Sequence, residues 1–213
     1  MSLPDLSAEA IARRLALGKE QPFEEAYPSA FLSDAPRPAA VLIPILHAPV
    51  ADDHLPGWHI LLTRRSDQLA EHRGQVAFPG GRSEPSDPSP EATALREAEE
   101  EIGLQSEDVQ ILGSLNSLLT ITNYSVTPVV GMIPWPYPVR PQQEEVSRVF
   151  TIPLAWLANP AHHEIRQRFI PPPYSTRLGS ENLPVIYFHP YDNEVLWGVS
   201  AQITMNLLKI LLD

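Results

Sequence analysis

Between Phe78 and Leu104 the chain reads FPGGRSEPSDPSPEATALREAEEEIGL, and no other stretch restricts the fold as strongly. Its second half has a start and a stop for one helix: Ser89 can cap the first turn, Pro90 fits the first helical position, Glu91 favours the N-terminal end of the dipole, and Gly103 can close the C-terminus. Inside those limits stand four carboxylates within five positions, Glu97, Glu99, Glu100 and Glu101. Glu97 and Glu101 form an i, i+4 like-charge pair costing roughly 0.2–0.5 kcal/mol, and acids near a helix C-terminus also oppose the macrodipole. On a wheel, Leu95, Ala98 and Ile102 share one side, and Glu97, Glu100 and Glu101 share the opposite side.

An acidic face of this kind is ordinarily a solvated surface. Here a local rule is broken without visible compensation in the sequence, which is where function is expected. Divalent cations would supply the compensation, because hard oxygen ligands suit Mg²⁺ or Mn²⁺. Mg²⁺ in particular prefers a few carboxylates completed by water and substrate phosphate.

The rest of the chain narrows the class. At 213 residues with 43% hydrophobic content, one domain with a sizeable core is expected. The formal charge of −11 opposes broad binding to nucleic acid or to an anionic membrane. There are no cysteines, hence neither a disulfide framework nor thiol chemistry. The N-terminus lacks an apolar core of signal-peptide length, and the longest apolar run, Ala39–Leu46, is too short to span a bilayer. A cytoplasmic protein is expected, with no nucleic-acid or membrane partner and with homo-oligomerisation left open; the charge stays compatible with a small-molecule phosphate substrate held by bound cations.

In chain order, periodicity predicts a helix over 6–17, strands over 39–47, 58–64 and 76–78, and a glycine turn at Pro79-Gly80-Gly81. After the acidic helix come strands over 109–115, 125–133 and 144–152, and a short helical turn over 154–157. Pro128 predicts an edge position or a bulge for the second of these strands. Residues 160–183 read as a polar excursion, 185–189 and 194–197 as a hairpin, and 200–212 as a closing helix.

Gly81, Asp87 and Arg96-Glu97-Ala98-Glu99-Glu100-Glu101-Ile102-Gly103-Leu104 resemble the Nudix box, G-x5-E-x7-R-E-U-x-E-E-x-G-U with U apolar. The second half matches at every specified position. The first half departs in having Asp87 where glutamate is usual and eight residues, not seven, before Arg96. The resemblance implies an α+β fold, the Nudix α/β/α sandwich with a mixed β-sheet, built from 39–213, with 1–38 as an N-terminal helix and connecting segment. It implies that Glu97 and Glu101 bind Mg²⁺ or Mn²⁺, that Glu100 contributes a ligand or orients water, and that Arg96 holds the glutamates. The base that activates water is left open among Glu100, Glu144 and Glu145.

Residues 61–84, LLTRRSDQLAEHRGQVAFPGGRSE, further resemble the signature of the coenzyme A pyrophosphatase branch, L-L-T-x-R-S-x3-R-x-H-x-G-x-V-x-F-P-G-G-x2-D. Ala70 and Glu84 depart from it. The resemblance implies cleavage of CoA or its thioesters to 3′,5′-ADP and 4′-phosphopantetheine or its acyl form. Another nucleoside diphosphate derivative such as ADP-ribose, or a silent nucleotide-sensing module, are the competing readings. Arg64, Arg65, His72, Arg73 and Arg82 flank the glycines in an otherwise acidic chain, and guanidinium forks suit phosphate oxygens. Arg64, Arg65, His72, Gly80 and Gly81 are the expected substrate-binding positions. Trp135-Pro136-Tyr137 superficially resembles the signature of NADH-cleaving relatives, but it lies too far after Gly103 and lacks the flanking Ser-Gln.

Overall fold

The apolar run after Pro38 becomes the strand on which the others are laid. The computed structural model describes residues 6–19, 35–48, 57–69, 72–172 and 174–212. In it β1 (Arg37–Ala48) is buried along most of its length, as a strand covered on both faces should be. Parallel to it runs β7 (Tyr124–Met132), with Arg37 opposite Tyr124 and Ile45 opposite Met132. On the other side, its C-terminal half pairs antiparallel with β2 (Gly57–Arg65) and its N-terminal half with β4 (Gly80–Arg82). β3 (Val76–Ala77) and β8 (Val146–Pro153) join β2, while β5 (Gln110–Ser114) and β6 (Leu118–Leu119) join β7. The result is a mixed, eight-stranded sheet.

Each face of that sheet is covered by helix. On one face α2 (Pro90–Ile102) packs Ala94, Ala98 and Ile102 against Ala40, Leu42, Leu61 and Val129. On the other, α1 (Ala8–Gly18) and α3 (Gly198–Leu212) bury Ile11, Leu15, Leu207 and Leu211 with Ile43, Ile45, Leu62 and Val130. Ser7 caps α1, its hydroxyl accepting from the Ala10 amide at 3.2 Å. The helix–sheet–helix sandwich is the expected α+β fold. No helix among the described residues is long and apolar enough to cross a membrane.

Five local expectations are corrected. Gly80-Gly81 is not a turn but the start of β4, since Gly80 pairs with Val41 and Gly81 with Ala40. Pro128 lies in an interior strand, not at an edge. Its carbonyl accepts from the Leu115 amide in the link between β5 and β6, so its nitrogen faces an interruption of the ladder where no N–H is needed. Residues 160–183 are not a bare excursion, because β9 (His163–Phe169) pairs with β10 (Asn182–Phe188) as a separate two-stranded sheet. The hairpin placed at 185–189 and 194–197 survives only as the bridges Tyr187–Trp197 and Tyr191–Glu194. The strand expected at 144–152 begins at Val146, with Glu144 and Glu145 in the preceding turn. Parts of the segments expected at 18–38, 50–57 and 66–75, Ala70 included, lie outside the described residues.

Candidate active site

The acidic helix starts and stops where its sequence says. The Ser89 hydroxyl accepts from the Ala92 amide, Pro90 opens the helix, and Gly103 closes it at φ 68° with its N–H bonded to the Glu99 carbonyl. The orphan carbonyls beyond that are met by another segment. Arg140 N–H donates to the Ile102 carbonyl at 2.7 Å and Gln142 N–H to the Glu101 carbonyl at 2.9 Å. This fixes the turn carrying Glu145 against the end of α2, and the Ser66 amide, donating to the Glu145 carbonyl, ties the same turn to the end of β2.

The wheel needs one correction. The buried arc of α2 runs through Ala94, Ala98, Glu101 and Ile102, so Glu101 faces the sheet with its side chain only 5% exposed. Leu95 is only partly buried, while Glu100 points outward at 57% and Glu97 stands between them at 17%. Small residues at 94 and 98 let the helix approach the sheet closely, which turns its inward direction toward Glu101. The carboxylates therefore form a graded series and not one solvent-facing set.

Arg96 serves as the hub. Its guanidinium lies 3.1 Å from Asp87, 3.0 Å from Glu97 and 3.0 Å from Glu100, and it also donates to the Arg82 carbonyl. Asp87 is fully engaged: it accepts from Arg96 Nε and Nη2, the Thr93 hydroxyl and the Glu84 amide. The bonds from Arg96, followed by that from Glu84, hold its carboxyl down to about 2. The extra residue between Asp87 and Arg96 is thus absorbed while the two side chains still meet.

Glu97 and Glu101 experience the opposite field. Burial raises Glu97, the charges of Glu100 and Glu145 add to this, and Arg96 opposes it. Burial also pushes Glu101 up to about 8, against Arg65, whose guanidinium is 3.9 Å away, and against the Gly80 N–H that donates to it; the charges of Glu97 and Glu145 reinforce the rise. Glu145 therefore belongs to the same electrostatic cluster, whereas Glu144 is exposed. Gly81 makes the cluster possible: a Cβ there would stand 2.5 Å from the Glu97 carboxylate, and one on Gly80 would stand 2.4 Å from the Ala40 carbonyl.

The basic positions separate. Successive residues of β2 face opposite sides, so Arg65 meets Glu101 while Arg64 is held by Asp67, Ser147 and Glu194. His72, at φ 58°, contacts the Gln75 side chain and is exposed, as is Arg73. The structure thus brings together Arg65, Gly80, Gly81, Arg96, Glu97, Glu101 and Glu145, and leaves Arg64 and His72 outside that cluster. Asp87 as the full partner of Arg96 was legible only as an off-register match. The capping role of 140–142 had no sequence signal, because backbone amides bond regardless of side chain.

The donors are of the right kind for a divalent cation. Burial and mutual repulsion disfavour the charged forms of Glu97 and Glu101, and a cation would reverse both penalties. Among the described residues no three acidic or histidine side chains already stand together as a ligand set. Two carboxylates completed by water and substrate oxygens match what Mg²⁺ takes.

Comparison with known proteins supplies the family. The NUDIX domain model matches residues 37–172, which contain β1, α2 and the whole carboxylate cluster. The uncharacterized Nudix hydrolases NudL of Yersinia pestis (strain Pestoides F) and of Yersinia pseudotuberculosis serotype O:1b (strain IP 31758) are each 38% identical over 197 residues, covering 92% of this chain and 90% of the relative. Among solved structures, a MutT/nudix family protein from Enterococcus faecalis aligns with a TM-score of 0.47 at 16% identity, over 93% of this chain and 67% of that one. Since the family model spans more than half of the chain and the relatives extend along nearly all of it, this protein belongs to the Nudix hydrolase family, whose members cleave pyrophosphate bonds.

Proposed function

We propose that this chain is a divalent-metal-dependent pyrophosphohydrolase that cleaves the diphosphate of coenzyme A or its thioesters, releasing 3′,5′-ADP and 4′-phosphopantetheine or its acyl form. The observation that carries the reading is the junction of two sequence signatures in one contact, Arg65 of the segment before the box against Glu101 of the box. A guanidinium set beside the carboxylate centre can take a diphosphate oxygen when the carboxylate is occupied by a cation. Gly80 and Gly81 let the substrate backbone approach closely.

Glu97 and Glu101 are assigned as the Mg²⁺ or Mn²⁺ ligands, with Glu100 as a further ligand or water-orienting group at the exposed end. When bound, such a cation neutralises charge on the diphosphate and lowers the pKa of a bound water. Arg96, pinned by Asp87, positions Glu97 and Glu100. Glu145 is the assigned acceptor of the proton from the attacking water, because of the three candidates it alone both lies in the cluster and is free of Arg96. Glu144 is solvated. The reaction adds water across the P–O–P bridge: the hydroxyl goes to one phosphorus, and the bridging oxygen leaves with the other and takes up a proton.

A panel of CoA, acetyl-CoA, ADP-ribose, NADH, diadenosine polyphosphates and dNTPs, assayed with Mg²⁺ and with Mn²⁺, tests the reading. Release of 3′,5′-ADP from CoA is expected. Turnover of ADP-ribose with CoA untouched would move the substrate to other nucleoside diphosphate derivatives, and binding without any turnover would make the chain a sensing module. In Arg65→Ala, KM for CoA is expected to rise more than kcat falls, as for lost uniform binding.

A further inference from the structure

Two arginines on the far side of β4 from the carboxylates remain unaccounted for by the site above. The Arg37 guanidinium lies 4.1 Å from the centre of the Tyr124 ring, and that of Arg82 lies 5.3 Å from the same ring. Arg37 also donates to the Thr122 carbonyl at 3.1 Å. Arg64, Arg65 and Arg96 are ion-paired, whereas among the described residues neither Arg37 nor Arg82 forms an ion pair. Both are exposed and share one aromatic support in a chain with a formal charge of −11, where carboxylate partners are abundant. Cation–π attraction holds each over the ring, but it does nothing to offset their mutual repulsion. An anion between them would.

Their place in the sheet makes the pair reachable from the site. Arg82 follows Gly81, whose Cα abuts the Glu97 carboxylate, and its own carbonyl accepts from Arg96. Gly81 pairs with Ala40, which packs under α2, whereas Arg82 pairs with Ala39, which belongs to the opposite core. β4 is only three residues long and pairs with β1 alone, so its outer side is a sheet edge. A substrate held at Glu97 and Gly81 needs to extend past one short strand to reach Arg82 and Arg37.

We propose that Arg37 and Arg82, carried on Tyr124, form a second anion subsite that binds a phosphate monoester of the substrate, separate from its scissile diphosphate. If the reading of the preceding subsection holds, that group is the 3′-phosphate of CoA. The subsite itself requires only a nucleotide bearing a monoester phosphate in addition to its 5′-phosphate.

The test uses the full chain and the variants Arg37→Ala, Arg82→Ala and Arg82→Lys, with thermal melting to confirm folding. Calorimetry compares 3′,5′-ADP with 5′-AMP, and steady-state kinetics compares CoA with 3′-dephospho-CoA. The unmodified protein is expected to prefer 3′,5′-ADP by about 10-fold, as a charge-assisted contact provides. Each alanine variant loses that preference and raises KM for CoA far more than KM for 3′-dephospho-CoA, while Arg82→Lys retains part of it. Equal affinity for the two nucleotides in the unmodified protein, or an undiminished preference in both alanine variants, overturns the subsite. If CoA is not turned over at all, the proposed function falls, and the calorimetry still decides the subsite.

Discussion

The Cα of Gly81 rests against the carboxylate of Glu97, so closely that any side chain at position 81 would stand 2.5 Å from its oxygens. A strand from one motif half thereby sets the position of a glutamate from the other half. Gly81→Ala is expected to push Glu97 out of place, lowering kcat about 10²-fold, as misplacement of a reacting group does, with a much smaller effect on thermal stability. Comparing activity with the melting temperature of the same preparation checks this. Equal losses in both would mean that the contact serves packing alone.

Glu101 couples stability to pH in the metal-free protein. Its carboxyl is raised to about 8 by burial, so in the folded state it stays protonated where the unfolded chain has released its proton. The favourable contribution is complete below the unfolded value near 4.5 and is lost as pH rises toward 8. Metal-free Glu101→Gln, which is neutral throughout, is expected to gain stability over the unmodified protein across that window, by about 1–3 kcal/mol at its upper end. Urea melts at pH 4.5, 6 and 8 in chelator measure the gain. Turnover by this variant is expected to fall by orders of magnitude, and near-normal activity would remove Glu101 from the metal ligands.

Asp87 titrates in the other direction. Bonds from Arg96 and Glu84 depress it to about 2, so what it contributes is present above its unfolded value near 3.8 and disappears as pH falls through about 2. Acid unfolding of Asp87→Asn is expected to show a shallower slope over that interval. Because Arg96 then loses its anchor, kcat should fall about 10-fold with KM little changed, the pattern of an interaction that matters in the transition state.

Glu145 and Glu144 are adjacent in sequence and separated by environment. Glu145→Gln is expected to lower kcat about 10²–10³-fold, the range of a lost general base, and to flatten the acidic limb of the pH–rate profile. Glu144→Gln is expected to leave both within a factor of about two, as for an ordinary surface substitution. The reverse result would place the base at 144.

Much of the local structure was legible because it depends on local physics. Ser89, Pro90 and Gly103 bound α2 through hydrogen bonds and dihedrals within one turn, and the long apolar run of β1 reads as a strand covered on both faces. Pro128 misled because the penalty of a missing N–H depends on whether a neighbouring strand calls for it, and the gap between β5 and β6 is a property of the whole sheet.

The sequence by itself determined which groups are present: the family, the carboxylates of the acidic helix, the arginine hub and the glycines that admit close approach. Only the tertiary structure decided their inequality. It turned Glu101 inward beside Arg65, left Glu100 in solvent, brought Glu145 from a distant turn into the cluster, and set Arg37 and Arg82 on one tyrosine ring. The physical reason is that burial and through-space charge depend on what packs across the sheet, and no spacing along the chain encodes that distance.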